Sequence, residues 1–408
     1  MARPLERMAA WLTERRVRRH AALLGLCLWL VYAFSLSTPG MRDRAGIVKG
    51  ADFLHFYTLG TLANQGRGAD LYDAYAQKAE SERLVPDSKG FFFQPVHGPQ
   101  MALLFAPLAR LPYPVAAVLW MSISAVTYGL CCHAVWRRCP QLGQHRGTVV
   151  LLAFASPAFF NLIAHGQTSA LALGFLTLGY LALEAKRPLL AGLTIGMLIY
   201  KPQLGLAAAV VFVFTGQWKV VLGAVAGAAA QLAAGWSYWG SAVMEQYGQT
   251  LRMLGAMSSV LEPKLYQMHS LRAFWMLLVP WEAAARWLYF ATAGVVLLGV
   301  VWVWRTPATL PLRYSGFLLA TVLVAPHLTV YDLVILAPAM LLLGNWALSN
   351  ADHHWSPTMR VLLYLSYALP LLGAVTQVTH LQLSVVAFVG MAWVVVQLSA
   401  EERASHKQ

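Results

Sequence analysis

Charged residues are scarce in this chain. They make up 12% of its 408 residues, whereas hydrophobic residues make up 58%. Soluble domains carry about 25% charged residues. A water-soluble fold of this length could not bury so much apolar surface, but a lipid bilayer solvates it. The composition therefore excludes an ordinary soluble protein and indicates an integral membrane protein.

Acidic residues are the scarcer kind of charge, and the 30 basic and 17 acidic residues give a formal net charge of +13. Such an excess can indicate a nucleic-acid partner. The basic residues, however, stand in short clusters between long apolar runs, as the positive-inside rule predicts for cytoplasmic loops. The sequence therefore predicts a lipid bilayer as partner and no nucleic acid.

Cysteine is also rare, and two of the four cysteines are adjacent inside an apolar run. Their spacing gives neither a disulfide framework nor a metal site. The chain lacks the GxGxxG and P-loop motifs of nucleotide-binding folds, and it shows no pair of similar halves like that of many transporters. We therefore predict no cofactor and leave a metal requirement open. The cysteines are Cys27, Cys131, Cys132 and Cys139.

Long apolar runs are what the sequence has in abundance. A transmembrane helix needs about 20 apolar residues, and fewer suffice when it is kinked or shielded by neighbours. The first run lacks a small-residue cleavage motif near Ser37, so we interpret it as an uncleaved helix. Lys201-Pro202 divides the run 188–215 into two short helices, because proline removes a backbone donor and clashes with the preceding turn. The sequence thus predicts about twelve spans, at 21–37, 114–136, 147–163, 168–184, 188–215 (two), 219–238, 283–304, 313–326, 329–348, 358–376 and 381–398.

Twelve spans place both termini on one side of the inner (plasma) membrane. The basic tail 1–20 predicts that this side is the cytoplasm. A structured loop at 38–113 and a second segment at 240–270 then lie outside, and residues 1–408 form a single polytopic membrane domain. The same orientation places the other basic clusters inside as well: Arg137, Arg138, Arg146, Lys186, Arg187, Lys219, Arg305, Arg313 and Arg360.

The polar stretches on the predicted outer side contain helical patterns. Asp52 precedes an apolar stripe over 53–65, and we expect Asp70 to cap a second stretch that runs to Leu84. Further stripes cover 98–111 and 243–261. Because the apolar residues recur on one face of each segment, we expect interfacial helices with that face in lipid.

Several short motifs follow one another in an order that resembles a known family of membrane enzymes. They are Ala51-Asp52-Phe53 with Phe56-Tyr57, Leu71-Tyr72-Asp73, Phe93-Gln94-Pro95, Pro107-Leu108-Ala109 with Leu111-Pro112, Ala116 with Leu119-Trp120, His165-Gly166-Gln167, Ala191-Gly192 with Lys201-Pro202, Ser270-Leu271, and Ala325-Pro326-His327 with Tyr331-Asp332. Over about residues 50–345 the chain resembles the polyprenyl-phosphate-mannose-dependent α-mannosyltransferases, glycosyltransferase family 87 of the GT-C superfamily.

The resemblance implies an all-α integral membrane protein of GT-C type that transfers a sugar from a polyprenyl-phosphate donor. The acceptor would be a hydroxyl of a lipid or glycan at the outer face. Such a reaction needs a base near the attacking hydroxyl and cationic or hydrogen-bonding groups on the leaving phosphate. A transporter or lipid-linked sugar flippase, and a non-catalytic assembly subunit, are the alternatives.

Asp52 matches the early acidic position of the family, and the resemblance implies that it is the catalytic base. The structural alternative is an N-cap of the helix that follows, a frequent role of aspartate. His327 falls at the outer turn between two late spans and would share the proton or bind the donor phosphate, unless it is an ordinary polar residue at a helix boundary. Asp332 would line the same site, or merely complement the positive end of the next helix.

Lys201 stands at a helix break on the outer side, where the positive-inside rule does not account for its charge. It would bind the donor phosphate as a point charge, unless it only extends to the membrane interface. Arg272 and His269, at the start of an apolar segment, are weaker candidates for phosphate ligands. Gln167 and His165 would line the same cavity or close a tight helical hairpin.

Asp352, His353 and His354 have the composition of a metal site. Adjacent histidines, however, are expected to point in different directions, and the predicted topology places them in a cytoplasmic loop. We therefore predict no metal site there.

Overall fold

A computed structural model describes residues 4–253 and 264–405, and nineteen α-helices account for most of them. These residues contain no β-strand, only two isolated bridges. The first ten helices are α1 Pro4–Trp11, α2 Glu14–Leu36, α3 Ala51–Asn64, α4 Ala74–Leu84, α5 Gln100–Phe105, α6 Tyr113–Trp136, α7 Arg146–Phe154, α8 Pro157–His165, α9 Ser169–Glu184 and α10 Pro188–Gly196. The others are α11 Leu206–Phe214, α12 Trp218–Met253, α13 Leu271–Leu278, α14 Glu282–Trp304, α15 Leu310–Val324, α16 Ala337–Ser349, α17 Ser356–Ala368, α18 Gly373–Thr379 and α19 Leu383–Ser405.

The predicted all-α membrane architecture is confirmed, and each predicted apolar run corresponds to a helix or a bent pair of helices. Within the described residues, six helices are long and apolar enough to cross a membrane, or up to eight if each of two bent pairs counts as one crossing. The other four predicted spans are apolar helices of 10–17 residues. They are shorter than the roughly 20 residues of a complete crossing, because the chain breaks at turns such as the one that carries Lys201.

The predicted inner and outer segments collect at opposite ends of the helix bundle. Three contacts join segments that were predicted to lie outside: Asp52 to Gln167, Lys201 to Asp332, and the backbone N–H of His269 to Leu328. Three others join segments that were predicted to lie inside: Arg138 to Glu184, His145 to Glu14, and His353 to Glu401. Which end faces the cytoplasm stays a prediction.

The helices of the first outer loop differ from the expected interfacial helices. Twelve of the fourteen residues of α3 are buried, because α4, α5, α6 and α8 pack around it. The prediction of one lipid-facing side is therefore wrong for α3. The predicted caps are also corrected: Gly50 occupies the N-cap of α3, and Asp73 rather than Asp70 caps α4 by accepting hydrogen bonds from two backbone N–H groups.

The second outer segment begins inside α12. This helix bends at Gly240, whose φ of 75° and ψ of 178° are not helical, so the span predicted at 219–238 and the helix predicted at 243–261 meet there. The structure describes that second helix as far as Met253. Its remainder, within 254–263, lies outside the described residues.

Four glycines let α10 and α12 pack with their backbones in contact. Gly192 and Gly196 on α10 face Gly223 and Gly227 on α12, and a Cβ atom added to any of the four would lie 2.0–2.3 Å from a carbonyl oxygen of the opposite helix. Such GxxxG pairs are a common device of membrane helices, because small residues allow close van der Waals packing. The crossing fixes the end of α10, which leads directly to Lys201.

We predict that Gly192→Ala destabilises the protein, because its Cβ would meet the Val220 carbonyl oxygen at 2.0 Å. Overpacking of this kind costs about 1–3 kcal/mol. Gly294→Ala is the matched control, since no atom lies within 4 Å of its Cβ position. Thermal unfolding of the two purified variants in detergent measures the difference. A Gly192→Ala protein that unfolds at the wild-type temperature would contradict the proposed helix contact.

Candidate active site

Asp52 stands in the first turn of α3, and the local backbone explains its orientation. Gly50 has a φ of 70°, a left-handed conformation that glycine adopts readily, and it starts the helix without a side-chain cap. Asp52 is half-buried, and its Oδ2 accepts a hydrogen bond of 2.7 Å from Nε2 of Gln167. The interpretation of Asp52 as an N-cap is therefore wrong.

Gln167 reaches Asp52 because of the turn between α8 and α9. Gly166 ends α8 with a φ of 69°, and a Cβ there would lie 2.7 Å from Cβ of Phe53. Trp120 donates a hydrogen bond from Nε1 to the Gly166 carbonyl oxygen at 3.0 Å. The turn is thus held against α3, and among the described residues Gln167 is the hydrogen-bond partner of the Asp52 carboxylate, bound to Oδ2.

Lys201 lies in a buried ion pair. Its Nζ donates to Oδ1 of Asp332 at 2.8 Å and to Oγ of Ser169 at 3.1 Å. Only 7% of Lys201 is exposed, so the interpretation as an interfacial anchor is wrong. The backbone places it there because short 3-10 turns, Met197–Tyr200 and Pro202–Gly205, flank it between α10 and α11.

Asp332 connects this pair to the chain between α15 and α16. It completes a capping box with Thr329, as expected of an acid in the first turn of a helix. It also accepts a hydrogen bond of 2.5 Å from Oγ of Ser169 at the start of α9. The ring of Tyr331 is 5.3 Å from Lys201 Nζ. Ser169, which bonds to both partners of the ion pair, follows Gln167, the partner of Asp52, by two residues. The base candidate and the ion pair therefore belong to one site.

Two histidines that sequence reasoning missed complete the cluster. The rings of His55 and His97 are 5.2 Å apart, and Phe93 stacks on His55 at 5.0 Å. Burial lowers the pKa of His55 to about 4. Burial, and then the charges of His55, Lys201 and His327, lower the pKa of His97 well below its usual value. Both rings are neutral at pH 7, so they offer hydrogen bonds rather than charge.

The sequence contained a signal for each of these histidines. His55 follows Asp52 by three residues, so on a helix both lie on one face. His97 follows the Phe93-Gln94-Pro95 motif by two residues. These signals alone do not predict a site residue, because a histidine among apolar residues is more often a core residue than a ligand.

Arg272, His327 and His165 lie at the same end of the helix bundle as Asp52. Arg272 donates a hydrogen bond of 3.2 Å to the carbonyl oxygen of Pro326, beside half-buried His327. His165 bonds through Nδ1 to the Asn161 carbonyl oxygen at 3.0 Å, and its ring lies 6.0 Å from that of Tyr331. His165 therefore bonds within α8 and lies beside Tyr331; that it lines the substrate cavity stays a prediction.

His269 does not suit the role that was predicted for it. It is 1% exposed, and its Nδ1 lies 2.8 Å from Oγ of Ser384. Burial lowers its pKa to about 3, so the ring is neutral and cannot hold a phosphate by charge. Its backbone N–H donates to the Leu328 carbonyl oxygen, which fastens the start of α13 to the chain beside His327.

The rejected histidine pair also needs a correction. The rings of His353 and His354 stack at 4.7 Å, and their Nε2 atoms lie 3.0 and 3.4 Å from the Glu401 carboxylate. They do not diverge, and with Glu401 they form a group of metal-ligand type. The Trp355 backbone N–H donates to Nδ1 of His353 at 3.2 Å, however, so Nε2 carries the proton and donates to Glu401. The group therefore joins the connection between α16 and α17 to α19, at the end of the bundle opposite to Asp52.

The arrangement around Asp52 combines the two kinds of group that a transfer from a sugar phosphate requires. One oxygen of the Asp52 carboxylate accepts a hydrogen bond from Gln167, and no residue that the structure describes donates a hydrogen bond to the other. Lysine, arginine and histidine side chains lie at the same end of the bundle. Low local dielectric strengthens the interaction of such groups with a leaving phosphate.

Comparison with known proteins identifies the family. The model of glycosyltransferase family 87 matches residues 96–330, more than half of the chain. No curated protein and no solved structure matches the chain significantly. The matched range includes His97, Gln167, Lys201, Arg272 and His327; Asp52 precedes it, and Asp332 follows its end by two residues. The chain therefore belongs to glycosyltransferase family 87, and it is a multi-pass membrane glycosyltransferase.

Proposed function

We propose that this glycosyltransferase moves mannose or a related sugar from a polyprenyl-phosphate donor to a hydroxyl of a lipid or glycan. The reaction would take place at the extracytoplasmic face of the inner membrane, with both termini in the cytoplasm. One observation carries the proposal: the half-buried carboxylate of Asp52 is bonded by Gln167, two residues before Ser169, which bonds to the buried pair of Lys201 and Asp332.

Asp52 is the base in this proposal. Its Oδ1 accepts the proton of the acceptor hydroxyl as that oxygen attacks the anomeric carbon. The bond between the anomeric carbon and the phosphate oxygen breaks, and the phosphate leaves with the electron pair. The hydrogen bond from Gln167 to Oδ2 fixes the carboxylate plane, so that Oδ1 stays directed at the acceptor.

Lys201, Arg272 and His327 receive the leaving phosphate. A lysine ammonium has three donors, and Asp332 and Ser169 occupy two of those of Lys201. The third donor is available to a phosphate oxygen, while Asp332 holds the ammonium in place. His97 adds a neutral hydrogen-bonding group, because burial lowers its pKa.

The donor class is tested with purified protein and radiolabelled sugars. We expect product from at least one polyprenyl-phosphate sugar and none from the corresponding nucleotide sugar, since the proposed site binds a lipid phosphate. Heat-inactivated protein gives the background. Product from the nucleotide sugar alone would contradict the proposed donor. Transport of the intact lipid-linked sugar across a vesicle membrane, with no sugar transferred to an acceptor, would favour a flippase.

Asp52→Asn tests the base. Asparagine has nearly the same size and still accepts the hydrogen bond from Gln167, but it cannot take up a proton. General-base catalysis contributes about 10²–10⁴-fold, so we expect turnover to fall at least about a hundredfold while donor binding persists.

Asp73→Asn is the matched control for that substitution. Asp73 is an exposed aspartate of the same loop that caps α4, and asparagine caps equally well. We expect near-normal turnover from it. Near-normal turnover of Asp52→Asn would exclude Asp52 as the base and direct the same experiment to His327→Gln.

Two variants distinguish the contribution of the ion pair to stability from the proposed catalytic role of Lys201. Lys201→Met leaves the Asp332 carboxylate buried without its cation, which typically costs about 3–5 kcal/mol. In the double variant Lys201→Met/Asp332→Asn both charges are gone. The asparagine oxygen can still accept the hydrogen bonds from Thr329, while its NH2 group can donate to Oγ of Ser169. We expect the double variant to recover most of the thermal stability and to remain inactive. A stable and active double variant would show that Lys201 serves the fold alone.

A further inference from the structure

A cavity opens at the end of the bundle opposite to Asp52. It has a volume of about 330 Å³ and lies between α2, α6, α7, α16 and α17. Its walls are almost entirely apolar, and they extend from Leu348 along α16 to Leu333 in the preceding 3-10 turn. At 1.5 Å per residue this is about 20 Å, longer than half the thickness of a hydrocarbon core of about 30 Å.

Polar side chains line the cavity where α2 begins. Glu14, His145 and Arg360 stand at this mouth. Glu14 binds His145 at 2.8 Å and accepts a hydrogen bond of 3.0 Å from Thr148, so its charge is already engaged. The mouth therefore does not present a free negative charge.

A basic pocket adjoins this mouth and shares Glu14 with it. The pocket is open to the surface, and it is lined by Glu14, Arg15, Arg18, Arg19, Ala22 and Leu151. The arginines' spacing of three and four residues places the three guanidinium groups on one face of α2. In the parts of the chain that the structure describes, none of the three forms an ion pair within 4 Å. The three side chains are exposed, so a phosphate group can reach their positive charges.

We propose that the two pockets together bind one anionic phospholipid of the leaflet at this end, the cytoplasmic leaflet in the predicted topology. The arginine pocket holds the phosphate, and the apolar cavity takes an acyl chain. Arginine suits this role because its guanidinium matches phosphate geometry and is always charged. The apolar run of α2 starts one turn beyond Arg18 and Arg19, at the depth where a lipid headgroup lies.

The position of the charges distinguishes this lipid from the sugar donor. The donor phosphate would sit near Lys201, whereas the arginines of this site are at the far end of the cavity. The cavity does reach Leu333, next to Asp332, so an isoprenoid chain entering from the active site is the competing occupant. The two occupants differ in headgroup and in the residues that hold it.

Binding of fluorescently labelled phosphatidylglycerol to the purified full-length protein in detergent tests the site, with phosphatidylcholine of the same chains for comparison. We expect phosphatidylglycerol to bind at least tenfold more tightly. Arg15→Gln/Arg18→Gln should remove that preference, whereas Arg187→Gln, at an exposed arginine of the same end, should keep it. Equal affinities of the wild type for both lipids would overturn the proposed headgroup site.

Gly344→Phe tests the cavity, because Gly344 lines it and the nearest atom to its Cβ position is 4.0 Å away. A phenyl ring there should lower the affinity for both phospholipids at least tenfold. Gly294→Phe, on α14 and away from the cavity, is the matched control and should bind both lipids like the wild type. Unchanged binding by Gly344→Phe, or competitive displacement of phosphatidylglycerol by an isoprenyl phosphate, would overturn the proposal.

Discussion

The site depends on one buried ion pair. A lysine and an aspartate removed from water lose several kcal/mol of hydration each, and they are retained in a protein interior only when they face each other and find further hydrogen bonds. Lys201 and Asp332 meet these conditions, since Ser169 bonds to both. The pair joins three places where the chain leaves helical geometry: the break before α11, the start of α9 and the connection between α15 and α16. Separating the partners would leave a buried charge in an apolar bundle.

Breaks in the helices are what give this membrane protein a polar site. In a bilayer, irregular backbone is tolerated only where protein or a water-filled cavity covers it. The breaks beside Lys201, at the Gly166 turn and before Asp332 all collect at one end, and buried α3 closes over them. The glycine contacts between α10 and α12 fix the position of the break beside Lys201. Short helices that do not complete a membrane crossing therefore place the polar residues of the site at one end of the bundle.

Asp52 illustrates which features of the site the sequence predicts and which it does not. Its motif and its position beyond the first span were sufficient to propose a base, but the local pattern also suited an N-cap. The backbone decided between the two, because Gly50 takes the left-handed conformation at the cap position and leaves the carboxylate to Gln167. The partner is 115 residues away along the chain. No local pattern predicts such a contact, and the same holds for His97, whose ring packs against those of His55 and Phe56 on α3.

The sequence by itself determined the membrane environment, the helical class, the positions of the apolar runs and the family. These follow from composition, from the length of apolar runs and from short motifs, all of which are local properties. Only the tertiary structure decided which apolar runs are complete crossings, that α3 is buried rather than interfacial, and that Lys201 is paired. It also decided that His353 and His354 converge on Glu401 instead of pointing apart. The physical reason is the same in each case: burial and pairing depend on segments that are remote in sequence, and their free energies appear only when those segments pack together.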